Sequence, residues 1–304
     1  MVVPYTAGCQ LFLLETNLKL CRFNNDRVGV VLSGQVVDVT EAVTRVLEGL
    51  PPVDGDPLIA YLDQVRAGLP SDLLARQAAP ASAVSLLAPV RLPGKIVAAP
   101  VNYHAHIAEM LASNISPGHN LADIEKAGLF LKATSSLVGA AQGVAVRFPE
   151  RRTDYEVELV AVIGRAASEV PVEEALDYVA GYAVGLDITV RGTEDRSFRK
   201  SIDSYTVLGP WLTTRDEIED PNALRLWLSQ NGIVRQNTST ADMVLSVAEL
   251  IAFASRFYTL KPGDLLFTGT PEGVGPIHPG DFLHAACDGL DAMDVRVRAY
   301  GDEA

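Results

Sequence analysis

Short apolar runs separated by Gly, Pro or Asp dominate the chain from Lys95 onward, and they constrain its fold more than any other feature. Runs of this kind, bounded by turn-forming residues, predict strands. Helical patterns do not alternate with them regularly, so a parallel βαβ architecture is not predicted. The runs read KIVAAP, VELVAVIG, GYAVGLDITV, DLLFTGT, DFLHAAC and DVRVRAY. The sequence therefore predicts an α+β main domain that is dominated by strands.

A few helices are predicted among these strands. Ser246 and Glu249 have the spacing of a capping box, and the apolar run LIAFASRF that follows ends before Lys261. Pro171, followed by two acidic residues, indicates another helix start.

The first ninety or so residues have a different pattern. The segment NNDRVGVVLSGQVVDVTEAV predicts a hairpin with its turn at Ser33-Gly34, and helical patterns follow at 57–69 and 71–77. Residues 78–94 are rich in Ala and Pro and lack periodicity, which is typical of a linker.

Charge and cysteine content restrict the partners and the compartment. The formal net charge is −13 and no run of Lys or Arg offsets it, so nucleic acid and anionic membranes would be repelled. The N-terminus lacks the cationic region of a signal peptide, and no apolar run reaches transmembrane length. The three cysteines, Cys9, Cys21 and Cys287, are odd in number and have no CxxC spacing. They indicate a reducing compartment, and the cytoplasm is predicted.

Glu156 and Glu158 stand two residues apart in the run DYEVELVAVIG. On a strand, residues two apart share a face, so the two carboxylates project together and Val157 projects to the other side. Such a pair resists burial unless a cation neutralises it. Oxygen ligands favour Mg²⁺, Mn²⁺ or Ca²⁺. A solvent-facing acidic pair on an amphipathic strand is the alternative.

Asp187 is a third acid, placed inside the apolar run GYAVGLDITV. Its neighbours are expected to be buried, and a buried Asp needs a partner such as a metal ion. A buried cap or turn Asp is the alternative. Together with the two glutamates, Asp187 predicts a metal site built from three carboxylates.

His106 and Glu109 lie at positions i and i+3 in the segment NYHAHIAEM. On a helical turn the two side chains face each other. A carboxylate paired with an imidazole fixes its tautomer and raises its basicity, as a general base requires. The alternatives are an ordinary surface histidine and a metal-binding pair of His104 and His106.

Three cations stand out against the acidic background: Lys132, Arg191 and Lys200. Each alone is typical of a solvated surface, whereas together they would create the positive field that a carboxylate substrate requires. The Gly-rich segment LFTGTPEGVG, which contains Thr270, matches neither a P-loop nor a dinucleotide fingerprint. It forms either a turn that presents N–H groups and a hydroxyl to an anion or a plain hairpin turn.

The ordered series of motifs from Lys95 to the C-terminus resembles the fumarylacetoacetate hydrolase family. In chain order the motifs are NYxxHxxE (Asn102 to Glu109), FLKxxSS (Phe130 to Ser136), DYExELxxVIG (Asp154 to Gly164), GYxxxxDxTxR (Gly181 to Arg191), KSxD (Lys200 to Asp203), LGPW (Leu208 to Trp211), NGxxxQ (Asn231 to Gln236), SVAELIAF (Ser246 to Phe253) and PGDxxxTGTPEGVG (Pro262 to Gly275). The resemblance implies a mixed β-sandwich roll as the catalytic domain in residues 91–304. A small α+β N-terminal domain with its linker precedes it in residues 1–90, and homodimers are expected. The segment 110–128 is longer than the usual lid of the family.

The resemblance also implies roles for the residues of the site. Glu156, Glu158 and Asp187 are expected to bind Mg²⁺ or Mn²⁺. His106 and Glu109 are expected to form a catalytic dyad, with Lys200 near the metal-bound ligands as a further catalytic residue. Four residues are predicted to contact the substrate: Tyr103, Lys132, Arg191 and Thr270.

These residues predict an enzyme that breaks a C–C bond in a small anionic 2-oxo acid. In the predicted reaction, His106 activates the water that attacks an acylpyruvate-like 2,4-dioxo acid, and the metal stabilises the resulting enolate. The same site would also suit a decarboxylase of oxaloacetate or a related 2-oxo diacid, or an isomerase of an unsaturated oxo-diacid. A non-enzymatic binding protein for small oxo acids is a further alternative, but the dyad and the lysine would then have no purpose.

Overall fold

The structure is a computed structural model and describes residues 18–113 and 124–302. The first part of the N-terminus, with Cys9, and residues 114–123 of the predicted lid segment lie outside the described residues. Strands dominate the rest, and the predicted α+β class is confirmed. The strands are β1 Lys19–Phe23, β2 Arg27–Leu32, β3 Gln35–Asp38, β4 Ala78–Pro80, β5 Leu86–Leu87, β6 Ile96–Ala98, β7 Phe130–Lys132, β8 Leu137–Val138, β9 Val144–Val146, β10 Thr153–Tyr155, β11 Val157–Ile163, β12 Val179–Asp187, β13 Thr189–Val190, β14 Thr206–Thr214, β15 Arg225–Gln230, β16 Ile233–Ser239, β17 Leu265–Phe267, β18 Gly275–Pro276, β19 Phe282–Cys287 and β20 Asp291–Ala299.

The helices are short. Within the described ranges the α-helices are α1 Thr40–Glu48, α2 Pro57–Ala60, α3 Leu62–Ala67, α4 His104–Ser113, α5 Ile124–Ala127, α6 Arg196–Lys200 and α7 Val247–Ser255. The 3₁₀ helices are Leu73–Ala75, Ala81–Ala83, Thr134–Ser136, Ala140–Gln142, Val172–Tyr178, Arg215–Glu217 and Thr240–Asp242. None of the helices in the described part of the chain is long and apolar enough to cross a membrane.

Most predicted elements are present. All six apolar runs contain strands, and the hairpin turn at Ser33-Gly34 joins β2 to β3 with both residues at positive φ. The capping box of α7 is formed, since the Glu249 carboxylate accepts the backbone N–H of Ser246 at 2.8 Å. The helix predicted at 57–69 is wrong in detail, because Tyr61 leaves helical geometry and separates α2 from α3.

Three further expectations needed correction. The predicted helix at 71–77 is only the 3₁₀ turn Leu73–Ala75, and Pro171 begins a 3₁₀ helix rather than an α-helix. The segment 78–94 is not an unstructured linker, because it contains β4 and β5. Both strands join a sheet through backbone pairing, which the composition of the segment does not reveal.

Three sheets organise the described chain. The largest has the order β4-β3-β2-β1-β14-β12-β11-β17-β6-β7, with β5 also paired to β1 and β8 paired to β14. The others have the orders β13-β10-β18 and β16-β15-β19-β20-β9. The N-terminal strands continue the main sheet through the antiparallel pair β1 and β14. The division into domains at residue 90 stays a prediction, and this boundary lies beside one continuous sheet.

Strand β11 is buried along its whole length because the sheet is covered on both faces. Val157, Leu159 and Ala161 point into one hydrophobic core. Val160 and Val162 point into another. Glu158 lies on the same face of the strand as Val160 and Val162 and is 1% exposed.

Candidate active site

Glu156, Glu158 and Asp187 meet where β11 and β12 pair. The backbone N–H of Asp187 donates to the carbonyl of Glu156 at 2.9 Å, and Glu158 lies opposite Gly185 in the ladder. One carboxylate oxygen from each of the three residues lies within 4.8 Å of the others. Glu156 is 5% exposed and the other two are 1% exposed. The alternative of a solvent-facing acidic pair is therefore wrong.

The electrostatics of Glu158 show that a cation fits this group. Burial raises the pKa of Glu158 well above its ordinary value, and the nearby Asp187 and Glu156 carboxylates raise it further. The Gly269 backbone N–H donates to the Glu158 carboxylate at 2.7 Å. One peptide dipole compensates poorly for a buried carboxylate with two acidic neighbours, whereas a divalent cation would compensate all three. An all-oxygen donor set suits Mg²⁺ or Mn²⁺ rather than zinc or copper.

The predicted cations lie against these carboxylates. Lys200 donates to Glu156 at 2.6 Å and to Asp187 at 2.6 Å. Lys132 also pairs with Asp187, and it donates to the backbone carbonyl of Tyr205 at 2.8 Å. Both lysines are at least 95% buried, so they are not solvated surface charges.

Arg191 bridges two acids next to the site. Its guanidinium donates to Asp154 at 2.8 Å and to Glu156 at 2.9 Å. Burial lowers the pKa of Arg191, but the two carboxylates outweigh burial and raise it overall. The same cations act on Glu156, where burial raises the pKa of the carboxyl and Lys200 and Arg191 reverse the shift. Glu156 is therefore held ionised.

His106 and Glu109 form the predicted pair on α4. Nδ1 of His106 lies 3.0 Å from the Glu109 carboxylate, and the ring is 3% exposed. Burial raises the pKa of Glu109, but hydrogen bonds from His106 and from the Gly273 N–H outweigh it and lower the pKa overall. His106 lines a small cleft together with Glu156, so the imidazole and one of the three carboxylates share one cavity. His104 is exposed at the start of the helix and is not part of this pair.

The Gly-rich turn after β17 supports both halves of the site. Gly269 donates its N–H to Glu158, and Gly273 donates its N–H to Glu109 at 3.0 Å. Both glycines have positive φ, a conformation that other residues adopt only with strain. The turn does present N–H groups to anions, and these anions are the protein's own carboxylates.

Two predicted substrate contacts, Thr270 and Tyr103, lie in buried positions beside this turn. The Thr270 hydroxyl accepts from the amide of Gln236 at 2.8 Å. The Tyr103 side chain is 1% exposed, and its hydroxyl has no hydrogen-bond partner in the described part of the protein. Burial raises the pKa of this hydroxyl, and Glu158 raises it further.

Several supporting residues were not predicted from the sequence. The side chain of Gln236 accepts the Val157 N–H at 3.0 Å while holding Thr270, so it fixes β11 against the Gly-rich turn. Asn102 joins the segment before α4 to the end of β17. Both residues lie inside motifs of the family series, and this is the only feature of the sequence that indicates their importance. Their roles depend on contacts far along the chain.

Comparisons with known proteins show what this chain is similar to. Residues 95–298 match the family model described as fumarylacetoacetate (FAA) hydrolase, C-terminal. The chain is 51% identical over 286 residues to maleylpyruvate hydrolase of Aquipseudomonas alcaligenes, which covers 93% of this chain and 100% of that protein. The crystal structure of maleylpyruvate hydrolase from Sphingobium sp. SYK-6 in complex with manganese(II) ion and pyruvate has a TM-score of 0.79 and 37% identity, with 93% of this chain and 99% of that chain covered. Mitochondrial oxaloacetate tautomerase FAHD1 of Mus musculus is 36% identical over 206 residues, which cover 65% of this chain and 88% of that protein.

The chain belongs to the fumarylacetoacetate hydrolase family. The fold predicted from the family resemblance is confirmed by the structural match. The predicted class of enzyme, a metal-dependent hydrolase of C–C bonds, is also confirmed.

Proposed function

We propose that the protein hydrolyses an acylpyruvate of the maleylpyruvate kind to pyruvate and a carboxylic acid. The observation that carries the proposal is the hydrogen bond between His106 and Glu109, in the cleft that also contains Glu156. Hydrolysis needs a base for water, whereas decarboxylation does not. The 51% identity to a maleylpyruvate hydrolase supports the same reaction.

The dyad determines which nitrogen of His106 acts on water. When Nδ1–H donates to Glu109, the lone pair of Nε2 is left to accept a proton from water. The hydroxide adds to the distal carbonyl carbon, and the bond between that carbon and the pyruvate methylene breaks. The electron pair stays on the methylene carbon, which takes up a proton to give pyruvate. We propose that Lys200 donates this proton. Three hydrogen bonds hold its ammonium group among the site carboxylates.

The balance of charge in the site suits an anionic substrate. The three acids of the site are matched by an equal number of cations. The acids are Glu156, Glu158 and Asp187, and the cations are Lys132, Arg191 and Lys200. A divalent cation bound by those acids supplies Lewis acidity next to the 2-oxo acid and makes the site net positive. Local positive charge of this kind attracts a dianion even though the whole chain carries −13.

Several finer assignments belong to the same proposal. We propose that the three carboxylates take Mg²⁺ or Mn²⁺, and that Tyr103, Lys132, Arg191 and Thr270 contact or orient the substrate. The buried, unpartnered hydroxyl of Tyr103 supports its assignment. A homodimer in the cytoplasm is proposed from the family resemblance and the cysteine pattern.

A second candidate activity is tautomerisation or decarboxylation of oxaloacetate at the same site. The relative named as an oxaloacetate tautomerase favours it. Decarboxylation would use the acidic ligands and Lys200 without attack by water, so His106 would be dispensable for it. Tautomerisation transfers a proton between carbon and oxygen, so it would still need a base such as His106.

The test compares three substrates in the presence of Mg²⁺ or Mn²⁺ and again with EDTA. Pyruvate release is followed with maleylpyruvate and acetylpyruvate, and the enol absorbance and pyruvate release are followed with oxaloacetate. We expect metal-dependent hydrolysis of the acylpyruvates. Turnover of oxaloacetate alone, above its metal-only background, would replace hydrolysis by the second candidate.

The matched variants are His106→Ala and His104→Ala, because both histidines lie on α4 and only His106 reaches the cleft. A general base contributes about 10²- to 10⁴-fold. The kcat of His106→Ala should therefore fall by about that factor, whereas His104→Ala should stay near wild type. Full hydrolytic activity in His106→Ala would rule out its role as the base.

A further inference from the structure

Within the described residues, the cleft beside His106 contains one cation that makes no hydrogen bond or ion pair. Four cationic side chains line it: Arg191, Arg196, Arg199 and Lys200. Arg191 and Lys200 are paired with site carboxylates. Arg199 is buried and donates to the backbone carbonyls of Glu194 at 2.8 Å and Val190 at 3.3 Å. Arg196 is half-buried and, in the described residues, makes no hydrogen bond or ion pair.

The position of Arg196 follows from α6. Asp195 caps this helix, and its carboxylate accepts the backbone N–H of Ser197 at 2.8 Å and the Ser197 hydroxyl at 2.5 Å. Arg196 is therefore the first residue of the helix, and Lys200 is four residues later on the same face. Four residues of helix span about 6 Å along the axis. Arg196 and Lys200 thus reach the cleft from backbone positions about one turn apart, and Lys200 meets Glu156 and Asp187 at its end.

The exposed Asp195 carboxylate, next to Arg196 in the chain, partly stabilises its charge. A half-buried guanidinium without a hydrogen-bond partner is nevertheless poorly solvated, which indicates that an anion completes this site. The proposed acylpyruvate already places its 2-oxo acid end at the three acidic ligands. An anion one helical turn away would belong to the other end of the same molecule. Guanidinium groups bind carboxylates with two parallel hydrogen bonds, so a terminal carboxylate fits Arg196.

We propose that Arg196 binds the carboxylate on the acyl part of the substrate, so that the enzyme selects dicarboxylic acylpyruvates over those with an uncharged acyl group. This inference rests on the proposed function, because it needs the 2-oxo acid end to lie at the acidic ligands. Arg196 is then a residue of substrate selection and takes no part in breaking the bond.

The test compares maleylpyruvate, which has the second carboxylate, with acetylpyruvate, which has a methyl group there. The enzymes are wild type, Arg196→Gln, Arg196→Lys and the control Arg256→Gln, whose arginine is exposed at the end of α7 and does not line the cleft. Loss of a charged hydrogen-bonding pair costs about 10- to 100-fold. For Arg196→Gln we expect kcat/KM to fall by that factor with maleylpyruvate, mainly through KM, and far less with acetylpyruvate.

Two further readouts separate binding from damage to the fold. Arg196→Lys keeps the charge and should recover part of the preference for maleylpyruvate. Maleate should inhibit Arg196→Gln about tenfold more weakly than wild type, whereas inhibition by pyruvate should be unchanged. Arg256→Gln should behave as wild type in every assay.

The outcomes distinguish this inference from the proposed function. Equal losses on both substrates in Arg196→Gln, or an unchanged preference, would overturn the role of Arg196. If the wild-type enzyme hydrolyses acetylpyruvate and maleylpyruvate with equal kcat/KM, the selection of dicarboxylates is overturned but the proposed hydrolysis is kept. A wild-type enzyme that hydrolyses neither substrate would overturn the proposed function, and the inference with it.

Discussion

Replacement of Asn102 by Ala tests whether the segment before α4 and the Gly-rich turn are held together as the structure indicates. The Asn102 amide donates to the carbonyls of Leu245 and Thr268, both at 2.8 Å, and its oxygen accepts the Leu245 N–H at 2.8 Å. The side chain is completely buried. Three hydrogen bonds at about 1 kcal/mol each give a loss of about 3 kcal/mol in the free energy of unfolding. The buried backbone groups left without partners add to that loss.

Activity should fall together with stability, because Asn102 connects two parts of the site. It immediately precedes the segment that leads into α4 with His106, and Thr268 immediately precedes Gly269, whose N–H supports Glu158. Urea unfolding followed by circular dichroism, at one fixed protein concentration, measures the stability. Hydrolysis at saturating metal measures the activity.

The matched control is Asn237→Ala, which removes one exposed hydrogen bond from Arg225. Its free energy of unfolding should stay within about 0.5 kcal/mol of wild type. If Asn102→Ala unfolds within about 1 kcal/mol of this control, the three hydrogen bonds do not stabilise the site and the reasoning fails.

Two further predictions concern the carboxylates. Glu158→Gln should weaken Mn²⁺ binding by about 100-fold or more in calorimetric titration. The exposed control Glu150→Gln should not change the affinity. Equal affinities in the two variants would exclude Glu158 as a ligand. The lowered pKa of Glu109 predicts a dependence of stability on pH. A carboxyl whose folded pKa is depressed stabilises the fold above its unfolded pKa, here 4.5, and this contribution disappears as pH falls through the folded value. The difference in unfolding free energy between wild type and Glu109→Gln should therefore be constant above about pH 5.5 and shrink below pH 4.5; a difference that grows on acidification would contradict the sign of the shift.

Features with a local cause could be predicted from the sequence. Alternation along a strand places Glu156 and Glu158 on one face, and helical spacing brings His106 to Glu109. Both relations depend on neighbours two or three residues away. The structure brings the two carboxylates together, although Glu156 lies just before β11, and it pairs His106 with Glu109. The ordered family motifs predicted the fold, because each motif marks an element that positions the site.

Features that arise from distant pairing could not be predicted in this way. Residues 78–94 have no apolar pattern, yet β4 forms there on the free edge of β3, and β5 forms on the part of β1 that extends beyond its pairing with β14. The support of Thr270 by Gln236 joins residues that are 34 positions apart. The sequence gives no signal for Arg196, because an arginine in the polar segment after Arg191 is typical of the protein surface.

Glu156 and Glu158 show most directly where local reasoning ends. They are equivalent in the sequence pattern, since they stand two residues apart in one predicted strand, and both are buried. In the structure Glu158 lies in β11, whereas Glu156 lies in the one-residue gap between β10 and β11. Their pKa values nevertheless shift in opposite directions, because Lys200 and Arg191 reach Glu156, whereas Glu158 has a peptide N–H and acidic neighbours. Glu158 is therefore the carboxylate whose charge most needs a bound cation. This difference comes mainly from residues far along the chain, so only the fold assigns it.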